Sequence, residues 1–286
     1  MQKQFLPTTN GDDQPIMPMS EEQKYLFDLK GWISLPGLLD SKTVDRVRQH
    51  QMDFLYQRDS LPLEERDNHG GDSQILLDHP AVVGILNEII SHQALASEDC
   101  YGFRFDHTYT SHRKAGHDNF NPHGGGGLFN FSGNSHTYQM QKGQIHAGLI
   151  RVVWELNEVE LGDGGTLFLS GSHKAAFPRP ESLSNRESPL WETYACPAGS
   201  AVIFTEALCH TGTRWTNTDR DRLSLFTCYN TVNAKWGKGC PPSEVILSLP
   251  PKRQTLFRGV WHGMTEVPQI NKYYDEANTG RFSTTG

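Results

Sequence analysis

Thirteen histidines stand in this 286-residue chain, and five of them (His107, His112, His117, His123 and His136) fall in one glycine-rich stretch. Imidazoles at that density suggest a metal, but a histidine is more often a hydrogen-bonded structural residue than a ligand, so context has to select. Context selects His123, in Asn121-Pro122-His123-Gly124-Gly125-Gly126-Gly127, because consecutive glycines let backbone and ligand approach closely and take unusual dihedrals. The second choice is His210, which ends an apolar run starting at Gly199 and could be aimed into the mouth of a barrel. Further on, Arg222-Leu223-Ser224 reads as the next strand, and period-2 alternation puts Arg222 and Ser224 on one face. A guanidinium and a hydroxyl side by side can hold one carboxylate, such as the far end of a dicarboxylate chelating a metal at His210. Arg104, Arg113, Lys114, Arg151 and Arg214 could recognise an anionic group on a substrate, but they read rather as scattered surface charges.

These residues need a rigid frame. The chain is 36% hydrophobic and 21% charged, with 27 glycines and 16 prolines, which fits one large globular domain rich in loops. Helical spacing is predicted from Ser20, with Tyr25, Leu26 and Leu29 on one side and a break at Gly31 before the extended stretch Trp32–Pro36. Ser41 can cap a second helix, and Asp78-His79-Pro80 opens a third that carries Val82, Val83, Leu86, Ile89 and Ile90. From Tyr101 the period changes to two, again at 149–156, 166–169, 200–205 and 223–229. Helices followed by many strands predict a mainly β fold with flanking helices, a jelly-roll or cupin-like barrel holding its ligands in the mouth. Residues 1–19 are expected to form a mobile arm ahead of a single domain spanning 20–286, and the polar stretch after Ala234 an irregular tail.

A net charge of −7 lacks the basic footprint of nucleic-acid binding, and no apolar run reaches membrane-spanning length. The expected setting is the cytoplasm and the expected partner a small molecule, with oligomeric state open. The five cysteines contain no C-x-x-C pair, so neither a disulfide framework nor a thiolate zinc site is indicated.

Several features occur in a telling order: Gly31-Trp32-Ile33-Ser34-Leu35-Pro36-Gly37-Leu38-Leu39, then His123, then Val152-Val153-Trp154-Glu155-Leu156 leading to Gly162-Asp163-Gly164-Gly165, then Gly171-Ser172-His173-Lys174, then His210 with Arg222. Together they resemble the phytanoyl-CoA dioxygenase family of iron(II)/2-oxoglutarate oxygenases over most of Ser20 to Thr231. The resemblance implies an Fe(II) held by His123 and His210, and 2-oxoglutarate whose distal carboxylate is bound by Arg222 with Ser224. It further implies that Trp154 lines the cosubstrate pocket, that O2 is the oxidant, and that the target is an unactivated C–H bond of a small molecule. By the same resemblance His173 is structural. His146 is read as a solvent-facing residue on a strand rim.

The family's two-histidine site normally gains a carboxylate two residues after the first histidine. Here that position is Gly125, which leaves three readings open. Chloride can fill the position, as in the iron halogenases whose motif is His-x-Gly or His-x-Ala, and the motif favours this reading. A carboxylate from elsewhere, such as Asp106 or Asp163, can complete an ordinary hydroxylase site, for which Gly125→Asp would be a mimic. An inactive cupin-like binding module is the third reading, and an intact Arg222 clamp argues against it. A zinc hydrolase built on His123, His210 and a third histidine would have no use for Arg222.

Overall fold

A computed structural model of the chain describes residues 6–125, 136–141, 143–177 and 179–261. Helix α1 (Glu21–Lys30) begins with a capping box, in which Gln23 N donates to Ser20 Oγ and Ser20 N donates to Gln23 Oε1. It ends at Gly31, where φ is 83° and a Cβ would come within 2.6 Å of His173 Nδ1. Glycine is therefore required there both by conformation and by space. The expected apolar side of α1 needs correction, since Tyr25 and Leu29 are exposed and Phe27 is the buried residue. Helix α2 (Ser41–Tyr56) is capped by Asp40, whose Oδ1 accepts from Thr43 N at 2.8 Å, and not by Ser41. Helix α3 (Pro80–Ile89) starts as expected, with proline in its first turn, and buries Val82, Val83, Leu86 and Ile89.

The strands are β1 (Trp32–Leu35), β2 (Phe103–Arg113), β3 (Gln139–Gln141), β4 (Gln144–His146), β5 (Ile150–Glu155), β6 (Gly165–Leu169), β7 (Trp191–Glu192), β8 (Ser200–Thr205), β9 (His210–Thr213) and β10 (Arg222–Thr231). They form a five-stranded sheet in the order β1-β8-β5-β10-β2, a three-stranded sheet β7-β6-β9 and a β3-β4 ribbon. The fold is the jelly roll predicted from the pattern of helices and strands, mainly β with flanking helices.

Two compact units are distinguishable, and β2 and β10 each contribute residues to both. The first comprises residues 1–19, 49–108 and 227–286. The segment expected to be a mobile arm is packed where described: Met17 N donates to Pro80 O at 3.3 Å and Met19 is buried. A buried ion pair joins Arg253 Nε to Asp78 Oδ1 at 2.7 Å, and Tyr101 Oη donates to Asp78 Oδ2 at 2.8 Å. The stretch after Ala234, expected to be irregular, contains α4 (Ser243–Ser248) and α5 (Pro251–Gln254). The remainder of the expected tail lies beyond the described residues.

The second unit, residues 20–48 and 109–226, carries the three-stranded sheet, strands β1, β5 and β8 of the larger one and parts of β2 and β10. Registers Trp32↔Phe204, Arg151↔Phe204 and Val153↔Val202 put these side chains on one face of the larger sheet. Trp32, Val153, Val202 and Phe204 pack with Phe168 of the smaller sheet and with Tyr194, Leu208, Trp215 and Phe226 into a buried cluster. Trp32 stacks on Phe168 with centroids 4.8 Å apart. Each fully buried aromatic here contributes roughly 1.5–3 kcal/mol relative to exposure, enough to fix the strands that carry the site. No helix among the described residues is long and apolar enough to cross a membrane.

Candidate metal centre

His210 opens β9, where its register partner on β6 is Phe168. On its other side the backbone pairs with His123, with His123 N donating to His210 O at 3.1 Å and His210 N donating to His123 O at 2.9 Å. The two imidazoles, 87 positions apart in sequence, are thereby brought to a centroid separation of 4.2 Å. The glycines after His123 make this possible. Gly124 and Gly125 have φ values of 76° and 72°, and Gly125 N donates to Ala207 O at 2.8 Å. A Cβ on Gly124 would lie 2.4 Å from Leu208 O, so the loop can dock on the 206–209 turn only without side chains.

The tautomers of both rings follow from their partners. His123 Nδ1 donates to Asn121 O and His210 Nδ1 donates to Leu208 O, each at 2.8 Å. A carbonyl can only accept, so Nδ1 carries the proton in both and each Nε2 offers a lone pair, the arrangement that second-shell bonds give to metal-binding histidines.

Glu206, in the turn after β8, brings a carboxylate to the two imidazoles. His123, Glu206 and His210 bring one ligand atom each to within 4.8 Å of one another, and Glu206 Oε2 stands 3.7 Å from His210 Nε2. Glu206 and His210 are buried, while His123 is exposed, as an open coordination face requires. The other oxygen, Oε1, accepts from Arg151 Nε. Burial alone would raise the Glu206 carboxyl, but the Arg151 guanidinium and the His210 ring override it and bring it down to about 2. Burial, aided by His123 and Arg151, lowers His210 to about 4 against the pull of Glu206. Two imidazole Nε2 atoms and one carboxylate make a donor set suited to a divalent iron.

These placements correct several expectations. Asp106 does not complete the site: it accepts from His107 Nδ1, Asn230 Nδ2, Trp236 N and Gly237 N, at 2.6–2.9 Å. Asp163 is likewise engaged by Asn217 Nδ2, Arg220 Nη2 and Glu160 N at 3.0–3.1 Å. Gly125 is not a vacant ligand position; a Cβ there would meet Cys209 Cβ at 2.7 Å, so Gly125→Asp is a poor mimic of a triad. Arg104, Arg113 and Arg151 are not surface charges, since Arg104 and Arg113 are 2% and 7% exposed and Arg151 holds Glu206. His173 is fully buried, its Nε2 donating to Asp28 O at 3.1 Å, which fits a structural role.

Arg222 and Ser224 do share a face, and both engage a carboxylate, but that carboxylate is Glu155. Arg222 Nε donates to Glu155 Oε1 and Oε2 at 3.2 Å, and Arg222 Nη2 donates to Oε1. Ser224 Oγ and Tyr194 Oη each donate to Glu155 at 2.6 Å. Arg222 Nη2 also donates to Tyr194 Oη at 3.0 Å. Arg222 Nη1, equally buried, has no partner among the described residues. Trp154 follows Arg151 and Val153 and precedes Glu155 on β5, so alternation sends its side chain to the opposite face from Arg151 and Glu155. Trp154 therefore belongs to the packing behind the sheet. Glu155 and Glu206 match no histidine spacing, and their one signal in the sequence is that each is a carboxylate inside or beside an otherwise apolar strand.

No family model and no curated protein matches the chain. Among solved structures it is similar to HygX from Streptomyces hygroscopicus with iron bound, at 19% identity and a TM-score of 0.61, covering 77% of this chain and 89% of HygX. HygX has also been solved with nickel and 2-oxoglutarate bound. Two further similar folds come from nogalamycin biosynthesis. One is the non-heme alpha ketoglutarate dependent epimerase SnoN (16%, TM-score 0.53, covering 74% of this chain and 83% of SnoN). The other is the carbocyclase SnoK (14%, TM-score 0.54, covering 81% and 89%). At these identities the likeness establishes a shared jelly-roll fold.

Proposed function

We propose that this chain is an iron(II)/2-oxoglutarate-dependent oxygenase that oxidises an unactivated C–H bond of a small molecule, using His123, Glu206 and His210 as its metal ligands. The observation that carries the proposal is the convergence of two Nε2 lone pairs and one buried carboxylate at a single point. The open His123 side leaves positions for cosubstrate and oxidant. When bound, iron, 2-oxoglutarate and O2 supply the oxidising power.

The chain's own residues do the rest. Asn121 O and Leu208 O orient the imidazoles, and Arg151 holds Glu206 so that only Oε2 faces the histidines. Arg222 binds the distal carboxylate through Nη1, while Glu155, Ser224 and Tyr194 fix the guanidinium plane. The unpartnered, buried Nη1 is the feature of this protein that fits an anionic cosubstrate. A carboxylate ligand from Glu206 removes the need for chloride, and favours hydroxylation over chlorination.

Anaerobic titration of Fe(II)-loaded protein with 2-oxoglutarate, with and without chloride, tests this reading. A visible metal-to-ligand charge-transfer band indifferent to chloride is expected. A band that shifts with chloride would restore the halogenase reading, and no band with a bound metal would remove 2-oxoglutarate from the function.

A further inference from the structure

Arg222 has a cationic neighbour on the adjoining strand. Arg113 is the last residue of β2 and Arg222 the first of β10, and the two strands adjoin in the sheet. Contact between His112 Nε2 and Asp221 Oδ2, 3.0 Å apart, ties together the residues just before them. A second route links the same pair. Arg113 Nη1 donates to Asn119 Oδ1 at 2.8 Å, and Asn119 packs so closely on Gly212 that a Cβ there would lie 2.0 Å from Oδ1. Gly212 is the register partner of Thr166, whose Oγ1 accepts from Arg222 Nη2 at 3.4 Å.

Arg113 is 7% exposed, yet its hydrogen-bond partners among the described residues, Ser111 Oγ and Asn119 Oδ1, are both neutral. The carboxylate of Glu155 is hydrogen-bonded to Arg222 and not to Arg113 among the described residues. Burial, and after it the charge of Arg222, lowers the Arg113 pKa, as expected of like charges held together. An anion bound beside two buried guanidinium groups would balance their charge.

We propose that Arg113 is a specificity-determining residue, the second cation of the pocket that takes the distal carboxylate of the cosubstrate beside Arg222 Nη1, selecting a dicarboxylic 2-oxo acid over a monocarboxylic one. The inference rests on the 2-oxoglutarate reading above.

Calorimetric titration of Ni(II)-loaded protein with 2-oxoglutarate and with pyruvate tests it without turnover. Arg113→Gln is expected to weaken 2-oxoglutarate at least about tenfold while leaving pyruvate and nickel affinities within twofold, a selectivity change that a structural role would not produce. Should that variant not fold, Arg113→Lys, which loses the planar fork, is expected to weaken 2-oxoglutarate more than threefold with pyruvate unchanged. Unaltered 2-oxoglutarate affinity in the folded variant, alongside a large loss in Arg222→Gln, overturns the role of Arg113 and leaves the cosubstrate reading intact. Wild-type protein that holds nickel but binds no 2-oxoglutarate overturns both.

Discussion

Replacing Glu155 by glutamine tests the core of the anion pocket with the smallest change of shape. Glu155 is fully buried, and accepts from Arg222, Ser224 and Tyr194. The substitution leaves the 1%-exposed Arg222 without its counter-charge. Breaking a buried pair from one side costs about 3–5 kcal/mol, because the remaining charge keeps its desolvation penalty. For a chain of this size each kcal/mol moves Tm by about 2–4 °C, so a fall of about 6–20 °C is expected. Removing both charges should be far milder: Glu155→Leu with Arg222→Met should cost much less than either single change predicts, since apolar replacement of a buried pair is often neutral. Anion binding should change in the opposite sense. Glu155 and a bound distal carboxylate would be like charges on one guanidinium, so removing the charge of Glu155 should tighten 2-oxoglutarate in the glutamine variant. Urea denaturation with and without the ligand measures both quantities. A cost below about 1 kcal/mol together with unchanged 2-oxoglutarate affinity would refute the reasoning that Glu155 tunes a buried cation.

Glu206→Ala should abolish stoichiometric Fe(II) or Co(II) binding, and adding Gly125→Asp should not restore it, because the new side chain would start 2.7 Å from Cys209 Cβ; Co(II) absorption titrations decide this. Arg151→Gln removes the bond that fixes Glu206 Oε1 and should weaken metal affinity about 10–100-fold with the fold retained, by the same titration. Gly31→Ala should lower stability by more than about 1 kcal/mol, combining a positive φ with contact on His173, and is read by thermal denaturation. Burial lowers His69 to about 3 from an ordinary value of 6.5, so between these values the unfolded chain binds the extra proton. That contribution is complete above pH 6.5 and is lost as pH falls, by about 1.4 kcal/mol per unit. His69→Gln should flatten the stability profile between pH 4 and 6 by about one proton, and an unchanged slope would show that His69 titrates normally.

The meeting of the two histidines was legible because each is marked by its surroundings: a glycine run lets His123 approach, and His210 stands at the end of an apolar strand. The shared face of Arg222 and Ser224 was legible from period-2 alternation. What was not legible depends on contacts between segments. Glu206 reaches the site because the chain turns tightly after β8, with Leu208 N donating to Thr205 O at 3.0 Å and Ala207 N to Thr205 Oγ1 at 3.1 Å. Spacing from His123 cannot reveal such a turn, and a search for His-x-Asp looks in the wrong loop. The alternation that pairs Arg222 with Ser224 also separates Trp154 from Glu155 on β5. A better rule follows from the cost of burying charge. A lone glutamate in Val152-Val153-Trp154-Glu155-Leu156, and another in Phe204-Thr205-Glu206-Ala207-Leu208, cannot be carried into a core unpaired, so each requires a buried cation. Counting from those two carboxylates calls two arginines inward, and these are Arg222 and Arg151. In the second unit Arg113 is a further buried arginine, with neutral hydrogen-bond partners among the described residues, and that positive charge is what the anion titrations above measure.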